Sequence, residues 1–161
     1  GREVDAVVLT EAELVQWGMR IGSEGEGPLF LGLKGPLGAG KSVLARAVAR
    51  GAGVEGPIPS PTFNLLFRYE GRNGVPVVHV DLYRLTSKDE LWELGWEELG
   101  DSGELALVEW PERAGEFLPE DRWEIELAGL DGEPQKRTAS LRRFGHPRPL
   151  PGFPFSLAGG V

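Results

Sequence analysis

Gly35-Pro36-Leu37-Gly38-Ala39-Gly40-Lys41-Ser42 sets two glycines, a lysine and a hydroxyl at the spacing G-x-x-x-x-G-K-S. Glycines let backbone N–H groups turn inward around phosphate oxygens with no Cβ in the way. A helix opening directly after the loop aims its positive end at the anion. Leu37, Gly38, Ala39 and Gly40 then line a nucleotide's phosphates. Lys41 reaches the β- and γ-phosphates, and the Ser42 hydroxyl ligates Mg²⁺. Pro36 has no N–H, so the loop carries one donor fewer than it otherwise would.

Two acids compete for the other half of such a site. Asp81 closes the run VVHVD and Glu109 closes LALVE. Each run has the form of an apolar strand delivering a carboxylate at its C-terminal end, where ligands sit in open α/β sheets. One acid can hold Mg²⁺, and the other can position or deprotonate an attacking water. Periodicity leaves both assignments open. Ser60-Pro61-Thr62 follows the helix that the phosphate loop opens. Pro61 forces Ser60 to be extended, and the Thr62 hydroxyl is placed to sense a γ-phosphate or Mg²⁺, as the switch loops of GTPases do. A guanine-specifying Asn-Lys-x-Asp is absent.

These residues need a scaffold. Thr10-Glu11-Ala12-Glu13 is a capping box that predicts a helix from about residue 11 to Ile21. PLFLGLKG, with no polar alternation, predicts a strand covered on both faces. KSVLARAVARG predicts a helix with Val43, Leu44, Ala47 and Val48 on one face and Gly51 as its C′ stop. TFNLLFRYE alternates, with Phe63, Leu65, Phe67 and Tyr69 sharing a face. Asn73-Gly74 then marks a hairpin into VPVVHVDLYRL. Ser87 to Glu90 forms a second capping box, and ELALVEW is another buried strand. RWEIELAGL and RTASLRRF predict a final hairpin around Asp131-Gly132. The sum is α/β with a mixed parallel and antiparallel sheet. We expect a single domain over residues 1–145 and a Pro/Gly-rich tail over 146–161.

Composition narrows the class. The 161 residues carry a formal net charge of −8 and no cysteine. Disulfides, thiolate metal sites and a cysteine nucleophile are excluded. A chain this acidic is a poor general binder of nucleic-acid backbones. Residues 131–161 nevertheless run to +3, with Lys136, Arg137, Arg142, Arg143 and Arg148 against Asp131 and Glu133. A solvated strand face is the expectation for that stretch. GREVDAVVLTEAEL contains no apolar h-region of a secretory signal.

Taken in order, GPLGAGKS, SPTFNLLFRYEG, HVDLYRL, ELGWEEL and LVEWPERAGEFLPED resemble the bacterial TsaE (YjeE) family over roughly residues 8 to 143. That family is the small ATPase subunit of the machinery that makes threonylcarbamoyladenosine in tRNA. The phosphate loop is common to many families, so the SPTF, HVDLYR and VEWPE blocks carry the resemblance. It implies a cytoplasmic P-loop NTPase fold that binds ATP with Mg²⁺ and hydrolyses it slowly alone. It also implies partners of the TsaD and TsaB families, with tRNA contacted only through them. By motif it carries over Lys41 as the phosphate lysine, Ser42 as a Mg²⁺ ligand and Glu109 as the second Mg²⁺-side acid. Asp81 is the acid organising water or metal, and Thr62 the switch-like hydroxyl. Trp110 lies beside the site or in the core, and Arg84 is either a charge stabiliser or, as the better expectation, part of a structural ion pair. Thr10 and Glu11 match a position near the nucleotide. The chain departs from the family's usual residues at Pro36 and at Ser42, where threonine is usual. Two other classes remain on the residues alone. A small-molecule kinase would need an arginine-rich lid, which the sequence lacks. A nucleotide-gated binding module would lack turnover.

Overall fold

The two runs without polar alternation lie side by side at the centre of the sheet. A computed structural model describes residues 2–25, 27–59, 66–99 and 103–153. Among these, the strands are β1 (Arg2–Thr10), β2 (Leu29–Lys34), β3 (Leu66–Glu70), β4 (Pro76–Asp81), β5 (Leu105–Glu109), β6 (Arg122–Gly129) and β7 (Lys136–Phe144). They form one seven-stranded sheet in the order β1-β7-β6-β2-β5-β4-β3. Strands β6, β2, β5 and β4 are mutually parallel. β3 is antiparallel to β4, β7 to β6, and β1 to β7. The mixed α/β sheet is therefore as expected, with the antiparallel strands confined to its flanks.

The helices are α1 (Glu11–Ser23), α2 (Lys41–Gly51) and the short α3 (Asp89–Glu93). α1 and α2 lie together over one face, where Trp17, Ile21, Leu44 and Val48 meet Leu31, Leu33, Leu107 and Ile125. On the other face Phe30, Val78, Val80 and Val108 pack with Leu91 of α3, Trp96 and Ala114. Alternate residues of β2 thus enter two different cores, which is why its sequence shows no polar period. Among the described residues no helix is long and apolar enough to cross a membrane.

Local chemistry explains most boundaries. Thr10 Oγ1 accepts the Glu13 N–H at 3.1 Å, and Glu13 Oε1 accepts the Thr10 N–H at 2.8 Å, completing the box that opens α1. Asn73, at φ 60°, and Gly74, at φ 75°, make the turn between β3 and β4. Of the face predicted for the β3 region, Phe63 and Leu65 lie outside the described residues.

Two expectations are corrected, and one strand is added. Gly51 is not the C′ stop of α2: the helix runs through it, and Gly53, at φ 98°, takes the left-handed position beyond the Ala52 cap. The Ser87 box is only half made. The Glu90 carboxylate accepts the N–H groups of Thr86 and Ser87, but α3 begins at Asp89 without a side-chain cap. Strand β1 precedes α1 and has no counterpart in the sequence reading.

Gly51 instead permits contact between helices. A Cβ there would overlap the Met19 carbonyl oxygen of α1, and one on Gly22 would overlap the Val48 carbonyl oxygen of α2. In an isolated helix, glycine to alanine gains about 1 kcal/mol. Here the overlap is with backbone, which cannot rotate away. We expect Gly51→Ala to destabilise by about 2 kcal/mol, lowering Tm by roughly 4–8 °C. A rise in Tm in a thermal melt would show that the helices separate at no cost.

After β7 the chain turns at Gly145 and runs back across α1. The indole N–H groups of Trp123 and Trp17 donate to the carbonyls of Arg148, at 2.8 Å, and Pro151, at 2.9 Å. Phe153 is buried with its ring centroid 4.5 Å from that of Trp17. Residues 154–161 lie outside the described residues.

Candidate nucleotide and metal site

The phosphate loop joins the C-terminal end of β2 to the N-terminus of α2. Its shape is set from below as well as by any ligand. Gly35, at φ 136°, lies so close to β6 that a Cβ would overlap the Leu127 carbonyl oxygen. Gly40 is the N-cap of α2 in a left-handed conformation and offers no side chain to the helix's free N–H groups. An uncapped N-terminus of this kind leaves donors and a positive partial charge for an anion. Pro36, which lacks a donor, is used as an acceptor: its carbonyl takes the Ala39 N–H at 3.2 Å and Lys41 Nζ at 2.8 Å. Leu37 is 69% exposed, whereas Ala39 is buried.

Lys41 folds back into its own loop. It is 4% exposed. Its Nζ donates to the carbonyls of Gly35 and Pro36 and lies 4.3 Å from the centroid of the Trp110 ring. Burial pulls the ammonium below the ordinary lysine range, opposed by the charges of Glu109, Asp81 and Glu112. Carbonyls are neutral acceptors, and a phosphate would bind the same ammonium more strongly.

The two candidate acids are direct register partners. Asp81 of β4 pairs with Glu109 of β5, and Leu33 of β2 pairs with Glu109 from the other side. Both carboxylates therefore reach the same end of three parallel strands. Glu109 is 3% exposed. The Ser42 hydroxyl lies 3.1 Å from its Oε1 and 3.0 Å from its Oε2. His79 Nε2 lies 2.6 Å from Oε2. Asp81 Oδ1 accepts the Tyr83 N–H at 2.9 Å. Burial raises the Asp81 carboxyl above the usual carboxylate range against that N–H. The charge of Glu109 adds to the rise, while His79 and Lys41 oppose it.

Ser42, Glu109 and Asp81 offer only oxygen donors, the set that suits a hard divalent cation. Among the described residues no three Asp, Glu, His or Cys side chains form a metal cage on their own. Mg²⁺ in nucleotide sites takes one or two carboxylates and completes its shell with phosphate and water, so this donor set fits it.

The other sequence candidates fall at different distances from this centre. Trp110 is in the site, stacked near Lys41 and 4.9 Å from the ring of Tyr83. It also packs against the second core, so both readings of it hold. It adopts φ 59°, which turns the chain sharply after Glu109. Thr10 has its hydroxyl engaged in the α1 cap, and Glu11 is exposed. Their helix reaches the loop through Leu14, which a Cβ on Gly40 would approach to 3.2 Å. Arg84 is exposed and makes no ion pair among the described residues, contrary to expectation. Thr62 lies outside the described residues.

Two residues were missed. His79 was taken only as part of the strand run VVHVD. Arg137 was read as part of a solvated face. Its Nε would lie 3.5 Å from a Cβ on Gly40 and is buried without a partner among the described residues, while Nη1 donates to the carbonyls of Pro134 and Lys136. The alternation Arg137, Ala139, Leu141 on β7 was the available signal, since Ala139 and Leu141 are core residues.

The profile of the family described as Threonylcarbamoyl adenosine biosynthesis protein TsaE matches residues 8–139. The chain belongs to the TsaE family. A TsaE protein of Treponema pallidum is 35% identical over 118 residues, covering 73% of this chain and 86% of that protein. One of Rickettsia conorii is 42% identical over 110 residues, covering 68% of this chain and 61% of its own length. One of Mycobacterium tuberculosis is 45% identical over 102 residues, covering 59% and 61%. All three are described as tRNA threonylcarbamoyladenosine biosynthesis proteins. Among solved structures, Bacillus subtilis YdiB superimposes with a TM-score of 0.71 over 89% of this chain and 87% of that one. At 23% identity this likeness concerns the fold. TsaE is a P-loop ATPase family, so ATP is the nucleotide that family membership implies for the loop.

Proposed function

We propose that this chain is a Mg²⁺-dependent, slowly hydrolysing ATPase subunit that drives threonylcarbamoyladenosine formation in tRNA by acting on proteins of the TsaD and TsaB families. The contact between the Ser42 hydroxyl and Glu109, at 3.0–3.1 Å, carries the reading. It joins the loop's metal-side hydroxyl to a strand-end carboxylate in one constellation, which a chance loop match would not do. Lys41 binds the β- and γ-phosphates, and the amides from Leu37 to Ser42 line them. Ser42 and Glu109 hold Mg²⁺, which supplies charge neutralisation at the phosphates. Asp81, on the adjacent strand and raised by burial, is the acid that orients the attacking water. Thr62 senses the γ-phosphate, and Thr10 and Glu11 approach the nucleotide from α1. The chemistry on RNA belongs to the partners, and the nucleotide state changes this chain's affinity for them.

Reconstitution tests this. Purified TsaB- and TsaD-family proteins with threonylcarbamoyl donor and tRNA should give repeated turnover only when this chain and hydrolysable ATP are both present. Equal product without the chain, or with a nonhydrolysable ATP analogue in place of ATP, would overturn the proposal.

A further inference from the structure

His79 has no role in the reading above, yet it makes the shortest polar contact to the acid at its centre. It sits in the middle of β4, 1% exposed, paired with Phe67 of β3 and Leu107 of β5. Residues two apart on a strand share a face, so His79 lies one layer beneath Asp81 and above Val77. Val77 and Leu107 are ordinary core residues there. A leucine or valine would fill this layer as they do. Instead the layer holds an imidazole whose Nδ1 is buried with no partner among the described residues. Burying an unmatched polar atom is unfavourable, so packing does not account for the residue.

The other ring nitrogen does. Nε2 lies 2.6 Å from Glu109 Oε2. An ionised carboxylate only accepts, so Nε2 carries the proton and donates, whichever charge the ring bears. The Ser42 hydroxyl reaches both oxygens of Glu109 but has one proton to give. Its contact is therefore interchangeable between the two, whereas that of His79 is committed to Oε2. A hydroxyl that ligates a cation through its oxygen also changes its own hydrogen bonding. The His79 bond is the anchor that persists.

We infer that His79 is the positioning residue of the metal site: it fixes Glu109 through Oε2 and leaves Oε1 as the oxygen available beside Ser42. The inference rests on the Mg²⁺ reading proposed above. Partners that orient a ligating carboxylate are worth about 10–100-fold in metal affinity.

Mn²⁺, a paramagnetic stand-in for Mg²⁺, provides the probe. Free Mn²⁺ is measured by electron paramagnetic resonance during titration of the full chain with ADP present. Binding of a fluorescent ATP analogue in EDTA is measured in parallel. His79→Gln places a donor at about the reach of Nε2, His79→Asn is too short, and His79→Leu keeps volume without a donor. We expect Mn²⁺ affinity within about 3-fold of wild type for His79→Gln and at least about 10-fold weaker for His79→Asn and His79→Leu. Metal-free nucleotide binding stays the same in all of them. Should His79→Leu fail to fold, the Gln and Asn pair decides alone. Wild-type Mn²⁺ affinity in His79→Asn, or a loss in His79→Gln as large as in His79→Asn, would overturn the inference. Wild-type protein that binds the fluorescent nucleotide but no Mn²⁺ would overturn the metal reading itself, a result distinct from variants that match a wild type which binds.

Discussion

Lys41→Ala abolishes measurable ATP hydrolysis and weakens ATP binding by at least about 100-fold. The expectation follows from where the ammonium lies. It is almost wholly buried within the curve of the loop and holds the carbonyls of Gly35 and Pro36. Hydrogen bonds from a charged donor contribute about 1.5–3 kcal/mol each, so losing two of them to phosphate oxygens amounts to roughly 3–6 kcal/mol. Alanine also leaves Glu109 and Asp81 without the cation that stands among them, which adds repulsion against an incoming triphosphate. Calorimetric titration gives the affinity and a phosphate-release assay gives the rate. Turnover equal to wild type would remove the enzymatic claim altogether.

Glu109→Gln separates binding from turnover. Hydrolysis in Mg²⁺ should fall about 100-fold, while ATP binding measured in EDTA stays within a few-fold of wild type. The amide keeps the size of the carboxylate and one acceptor for the Ser42 hydroxyl, so the folded site is retained. What it loses is the negative charge that a divalent cation requires. A variant that hydrolyses normally would shift the metal role to Asp81, which pairs with Glu109 across the strands. A variant that loses metal-free binding as well would show that Glu109 shapes the loop itself. Lys41→Ala and Glu109→Gln should therefore fail differently, the first in both measurements and the second in one.

The candidate site was legible wherever chemistry is encoded by local spacing. Eight consecutive residues announced the loop, and two apolar runs ending in acids announced Asp81 and Glu109. The register that makes those acids neighbours was not legible, because pairing between strands separated by a helix leaves no local mark. His79 was hidden for the same reason, since its partner is thirty residues away in sequence. Arg137 was misread because charge was weighed before alternation. In the fold, the capping box at Thr10 was informative since both of its bonds lie within four residues. Gly51 misled because glycine serves both helix termini and helix contacts, and only the position of Met19 decides between them. The resemblance to the TsaE family named the function class that geometry alone would have left open between several P-loop activities.

The order of the sheet also joins the two ends of the described chain to the loop at its middle. Among the described residues β1 finds its hydrogen-bonding partner only in β7, with Thr10 opposite Lys136 and Arg2 opposite Arg143. The floor beneath Gly35 is the Leu127 carbonyl of β6. A nascent chain that has already exposed its complete glycine loop still lacks the strand on which that loop rests. The surface that shapes the loop from below is thus made from one of the last strands of the described chain, so the loop's resting place is complete only once β6 has joined β2.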